Sequence, residues 1–312
     1  MLINKIMTYR KKFMRHQYHP LGFEGSRIAQ GFWRLQEWNM TSEETLGFIQ
    51  ACLDLGVTTL DHADIYGGYQ CEALFGKALK LQPALRAKME IVTKCGILLP
   101  SESRPDIQVH RYDYRAEHIL ASVDKSLANL QCEYIDTLLL HRPSPLMDAD
   151  EVAQAFDLLF TLGKVKHFGV SNFTPRQFDL LQSRLDAPLI TNQVELSPLA
   201  LRHFEDGTLD HLQQHAVTPM AWSPFAGGEL FSGSSEKAKR VQTILSDLAQ
   251  EKNCETDQIV VAWLLRHPAG ICPVMGSGKI ARLAAAVDGM SISLSDDDWF
   301  RIWIASQGQP VP

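Results

Sequence analysis

Between Thr58 and Glu72 the chain reads TTLDHADIYGGYQCE, an apolar run that ends in Asp61 and is followed by Asp64, Tyr66, Tyr69 and Glu72. A buried strand has no need of two carboxylates and two phenols at its exit, and Gly67-Gly68 permits a sharp backbone turn there. Later strand-like runs end in the same manner: EIVTK in Lys94, IDTLLLH in His141 and HFGVSN in Ser171-Asn172, while LITNQVE passes through Gln193 and Glu195. Singly, each has a structural explanation, a snorkelling lysine at a sheet rim or a histidine closing a strand. Together they form a chemical device. A phenol with a pKa near ~10 is a poor acid at neutral pH, and a neighbouring ammonium favours its ionised form. Asp61 could hold that lysine charged, and the imidazole of His141 could hydrogen-bond an oxygen on which negative charge builds. Such a set is suited to protonating a carbonyl oxygen. Residue chemistry alone leaves both Tyr66 and Tyr69 open as the acid.

These groups must be held by a regular frame, and from Gly25 onward the sequence alternates strand-like and helical patterns. The strand-like runs are RIAQGFW from Arg27, VTTLD from Val57, EIVTK from Glu90, IDTLLLH from Ile135, HFGVSN from His167, LITNQVE from Leu189, PMAWSP from Pro219 and ICPVMG from Ile271. Helical patterns lie at Thr41 to Gly56, Arg115 to Leu130, Asp148 to Leu162, Pro175 to Leu185, Leu209 to His215 and Ser234 to Lys252. Thr41 with Glu44 reads as a capping box, and Gly56 and Gly163 as helix stops. Alternation of this kind predicts an α/β fold with a parallel sheet, because parallel neighbours need a crossover. A doubly wound sheet would announce a dinucleotide site with G-x-G-x-x-G after its first strand, where this chain has RLQEWNM. Eight repeats instead predict a closed (β/α)8 TIM barrel, with the active site at the C-terminal ends of the strands.

Composition narrows the function classes. With 312 residues, 45% hydrophobic and 21% charged, the chain is that of an ordinary globular protein, and a formal net charge of −6 argues against a nucleic-acid partner. The six cysteines, Cys52, Cys71, Cys95, Cys132, Cys254 and Cys272, form no C-x-x-C pair. Neither a signal-peptide core nor an apolar run near ~20 residues is found. The expectation is a cytoplasmic protein with no membrane span and no metal. Residues 1–19 carry Lys5, Arg10, Lys11, Lys12 and Arg15 without an acid or a clear period, and read as a poorly ordered basic extension before one domain over 20–312.

D-x-A-x-x-Y-G from Asp61, V-T-K at Lys94, L-L-L-H-R-P around His141 and G-V-S-N-F from Gly169 resemble the aldo-keto reductase family, in family order and spacing from about Arg27 onward. The resemblance implies an NADPH-dependent oxidoreductase that reduces an aldehyde or ketone. It chooses Tyr66 as general acid, with Lys94 lowering its pKa, Asp61 paired to Lys94 and His141 orienting the carbonyl. It places Ser171, Asn172 and Gln193 at the nicotinamide carboxamide and Trp222 against the ring. Ser223, Gly227 and Gly228 would follow the pyrophosphate, and Gly276, Ser277, Lys279 and Arg282 the adenosine phosphate. Gly276 replaces the family's usual lysine, and Ala285 and Ala286 stand where glutamate and asparagine are common, so NADPH over NADH is the weaker part of the expectation. The expected substrate is a small to medium apolar or aromatic carbonyl, and the expected state a monomer. The alternative is an NADPH-binding regulatory or accessory subunit with little turnover.

Overall fold

The alternation read from the sequence closes on itself. In the computed structural model, which describes residues 14–101, 104–105 and 107–312, a short antiparallel hairpin of β1 (Arg15–Gln17) and β2 (Glu24–Ser26) leads into the first barrel strand. The barrel strands are β3 (Ala29–Gly31), β4 (Thr59–Asp61), β5 (Glu90–Cys95), β8 (Ile135–Leu140), β9 (Val165–Ser171), β10 (Leu189–Glu195), β11 (Thr218–Trp222) and β12 (Cys272–Met275). They pair in parallel in that order, and β12 returns to β3. All eight fall on the stretches read as strands. A second hairpin, β6 (Ile97–Leu98) with β7 (Arg111–Tyr112), lies in the loop after β5.

Period-two alternation sorts the side chains. Ala29, Val92, Leu139, Ile190, Met220, Cys272 and Val274 fill the barrel interior with Tyr18 and Phe23 from the hairpin. Their neighbours Leu60, Ile91, Cys95, Leu138 and Leu140 pack outward with the helices. Cys95 is therefore a core residue, as its strand parity predicts. Two residues beyond Val92 and Leu139 the same inward parity delivers Lys94 and His141 to the C-terminal mouth, which is how the frame positions the chemistry.

Helix starts follow their caps. Thr41 and Glu44 exchange both bonds of the capping box at Ser42–Asp54, and Thr174 with Gln177 does so at Pro175–Gln182. Among the described residues, three helices of eleven residues or more escape the sequence reading: Cys71–Leu81, Thr256–Arg266 and Asp296–Gln307. The first starts at Gln70 with no side-chain cap, and the second is buried continuously from Ile259 to Leu264, which erases the amphipathic period. No helix among the described residues is long and apolar enough to cross a membrane.

The first strand of the β1–β2 hairpin, with Tyr18, lies inside the stretch expected as a loose basic extension. Tyr18 is fully buried, and its hydroxyl donates to the Ser26 carbonyl at 3.1 Å and lies 2.8 Å from the Cys272 Sγ. Arg15, counted from sequence as part of a basic tail, reaches Glu24 and Glu90 at 3.2 and 2.6 Å. Ordering of residues 14–19 thus comes from tertiary partners that local pattern does not reveal, and the remainder of that expectation, residues 1–13, lies outside the described residues.

Candidate active site

At the mouth, the turn after β4 decides which tyrosine enters. Gly67, Gly68 and Tyr69 all take left-handed φ angles of 57°, 60° and 72°. A Cβ on Gly67 would lie 2.6 Å from the Cys71 Sγ, so both conformation and space call for glycine there. The turn separates the two phenols. Tyr66 Oη accepts a hydrogen bond from Lys94 Nζ at 3.0 Å, whereas Tyr69 Oη accepts from the Leu99 backbone N–H at 2.9 Å. Tyr69 is thereby tied to the β6 loop, with Arg104 4.7 Å and Lys125 5.6 Å from its ring centroid.

Lys94 is fully buried and uses its three protons on Asp61, the His62 carbonyl and Tyr66. It reaches Asp61 Oδ1 and Oδ2 at 2.7 and 2.9 Å and the carbonyl at 2.8 Å. Burial opposes its charge, but Asp61 and Tyr66 outweigh burial and raise its pKa, so it remains an ammonium. Gln193 Nε2 donates to Asp61 Oδ1 at 2.8 Å and fixes the carboxylate from the far side of the barrel.

For Tyr66 the balance differs from the expected one. Burial is the largest influence and raises its pKa; Lys94 pulls downward as anticipated, through charge and hydrogen bond, yet does not overcome burial with Asp61 nearby. The phenol is held protonated. Its ring meets that of His141 edge-on, centroids 5.9 Å apart. Burial, then Lys94 and Arg142, push the His141 pKa well below the ordinary range, so the imidazole is neutral. Its Nδ1 is buried without a partner among the described residues. Chemically, the set offers a protonated phenol backed by an ammonium, and a neutral imidazole beside it.

The residues expected at a cofactor lie along the same rim. Ser171 Oγ donates to the Gln193 carbonyl at 2.8 Å, Asn172 Nδ2 donates to Ser171 Oγ at 2.7 Å, and Trp222 Nε1 donates to Asn172 Oδ1 at 3.0 Å. Asn172 and Ser223 take left-handed φ angles of 62° and 53°. A Cβ at Gly227, Gly228 or Gly276 would meet nothing within 4 Å, so the backbone after β11 and β12 faces open space. Ser277 and the exposed Lys279 and Arg282 surround the start of the Ile280–Gly289 helix, whose N-terminal amides favour an anion. These features fit an elongated phosphate-bearing cofactor with a flat ring at one end.

Sequence reasoning passed over Arg142, which flanks His141 in the quoted motif. Its guanidinium lies 5.5 Å from the centroid of the Trp222 ring, and its charge acts on Tyr66, His141 and Glu195. Glu72 is buried and accepts from Thr93 Oγ1 at 2.7 Å. Phe32 and Phe173 are fully buried and Trp33 is exposed. His62 is buried with neither ring nitrogen partnered among the described residues, stacked on Phe32 at 4.8 Å and edge-on to Phe75 at 4.5 Å.

Known proteins give the same picture. Residues 27–306 match the model of the aldo/keto reductase family. The chain is 52% identical over 294 residues to the oxidoreductase YdhF of Escherichia coli strain K12, covering 94% of this chain and 97% of that protein. It is 44% identical over 289 residues to a 6-dehydroglucose reductase of Agrobacterium fabrum, covering 92% and 96%. A solved thermostable aldo-keto reductase, Tm1743 with the inhibitor epalrestat, superposes with a TM-score of 0.79 at 25% identity, covering 93% of this chain and 99% of that one.

Proposed function

The chain belongs to the aldo/keto reductase family of oxidoreductases, and from that premise we propose that it reduces a small aldehyde or ketone to the alcohol with NADPH as cofactor. One observation carries the reading: the buried Lys94 ammonium, clasped by both oxygens of Asp61, donates at 3.0 Å to the hydroxyl of a protonated Tyr66. That hydroxyl accepts from Lys94 and keeps its own proton for another partner.

Tyr66 is the general acid. Its phenol gives the proton to the carbonyl oxygen, and Lys94 stabilises the phenolate left behind more strongly than the phenol before transfer, which lowers the barrier. Asp61 keeps Lys94 charged, and Gln193 keeps Asp61 in place. His141, held neutral, donates a hydrogen bond to the same carbonyl oxygen without carrying a charge that would repel Lys94. Ser171, Asn172 and Gln193 orient the nicotinamide, and Trp222 offers its flat face to the ring. Ser223, Gly227 and Gly228 bind along the pyrophosphate, while Gly276, Ser277, Lys279 and Arg282 receive the adenosine phosphate. The bound dihydronicotinamide supplies the hydride.

Arg142 and Glu195 make one side of the mouth polar, and one relative is named a 6-dehydroglucose reductase, so oxidised sugars belong in the substrate panel beside aromatic aldehydes. The test is NADPH consumption with such a panel, for wild type and Tyr66→Phe. Wild-type turnover that falls by about 10²–10⁴-fold in the variant supports the assignment. Equal rates would remove Tyr66 from the mechanism, and tight NADPH binding with negligible turnover of every carbonyl would favour an accessory role.

A further inference from the structure

On the outer wall of the barrel the helices after β9 and β10 bring three metal-ligating side chains together. Asp179 lies on Pro175–Gln182, His211 on Thr208–Gln214, and His215 closes that second helix. Four residues apart, the two histidines share one helical face, and their ring centroids are 4.6 Å apart. His211 Nε2 is 2.6 Å and His215 Nε2 4.0 Å from Asp179 Oδ1, and one ligand atom of each residue lies within 4.8 Å of the others. Phe178 backs both rings, edge-on to His211 at 5.2 Å and tilted against His215 at 6.4 Å. An ordinary hydrogen bond accounts for Asp179 with His211 and gives no reason for His215.

We propose that Asp179, His211 and His215 bind a divalent transition-metal ion of the zinc class. Zinc holds imidazole nitrogen and carboxylate oxygen at about 2.0–2.1 Å in a tetrahedron, which sets ligand atoms roughly 3.3 Å apart. The separations of 2.6 and 4.0 Å bracket that value. Asp179 and His215 are each about half exposed, so their side chains can turn to equalise the two distances. Two imidazoles select against magnesium and calcium, which prefer oxygen ligands, and a water completes the shell. The ion would staple the helix after β9 to a helix after β10. The expectation of no metal considered cysteine spacing; here His-x-x-x-His supplies two ligands, and the third comes from a different helix.

Titration calorimetry of the full, chelator-treated chain with zinc chloride should give one ion per chain, and zinc should raise the thermal midpoint. Cobalt(II) should show tetrahedral d–d bands without a thiolate charge-transfer band. Asp179→Asn and His215→Ala are expected to weaken binding at least about tenfold, and His211→Ala with His215→Ala to abolish it. His215 ends its helix at the surface, so an unchanged metal-free midpoint in His215→Ala separates lost binding from lost folding. No saturable binding by wild type, or a thiolate band, or full binding by the double histidine variant, overturns the proposal.

Discussion

Lys94 with Asp61 at the mouth and Arg86 with Asp136 at the floor are both ion pairs shut away from water, but their hydrogen bonds lead to different ends. Arg86 donates to the Met89 and Tyr134 carbonyls at 3.0 and 2.8 Å and to Asp136 Oδ2 at 2.6 Å. Asp136 in turn accepts from the Ile91 backbone N–H and from Lys166. The Tyr134 ring lies 4.0 Å from the Arg86 guanidinium carbon and 3.6 Å from Lys166 Nζ. The contacts at the floor therefore close on strand or loop backbone, on Lys166 and on the Tyr134 ring. At the mouth the chain of bonds ends on a hydroxyl with its proton still available. Burial and charge pairing alone therefore do not set the two ends apart; the free end of the network does.

The largest effect expected from this contrast is on turnover. Asp61→Asn with Lys94→Met, which leaves no buried charge, should lower kcat by about 10²–10⁴-fold while the urea midpoint moves little. A variant with near wild-type kcat would break the distinction. Next, Arg86→Ala should cost about 3–5 kcal/mol of stability, the low end if Lys166 covers Asp136, with kcat retained wherever the protein is folded. Loss of kcat in a stable Arg86→Ala would join the floor to the chemistry.

Acid should separate the two ends further. His62, beside Lys94, has its pKa lowered to about 3 by burial and then by the Lys94 charge. The unfolded chain takes up that proton near ~6.5 and the native state resists it until about 3, so the unfolded state holds more protons between these values. Stability is accordingly present above the unfolded value and lost as pH falls through the window, by up to about 3 kcal/mol between pH ~7 and ~4. Urea unfolding of His62→Leu should show a shallower loss; an unchanged slope would mean that other groups carry the acid sensitivity. The smallest effect is expected from Trp222→Phe, which keeps a flat face but removes the donor to Asn172. A KM for NADPH raised about fivefold, worth about 1 kcal/mol, with kcat nearly unchanged would fit that contact.

What the sequence made legible depended on locality. The eight strands were readable because runs such as IDTLLL are apolar and end in a polar group, and strand parity then aimed Asp61, Lys94 and His141 at one mouth. Tyr66 could not be told from Tyr69 by chemistry, since the choice rests on the hand of the Gly67-Gly68-Tyr69 turn, which glycine permits but does not dictate. The net direction of the Tyr66 pKa was hidden because burial is a property of the assembled mouth. The first hairpin was invisible because its strands are three residues each and its partners lie far along the chain.

Those distant partners bear on how the protein is made. The Tyr18 hydroxyl meets Cys272 across 254 positions of sequence, and His16 meets Thr218 across 202. The hairpin leaves the ribosome early but finds its seat only after β11 and β12 exist. At about 5–20 residues per second of synthesis, this segment waits on the order of ten seconds or more for its site. Closing the barrel floor is consequently a late, long-range step, of the kind that slows folding in chains rich in non-local contacts.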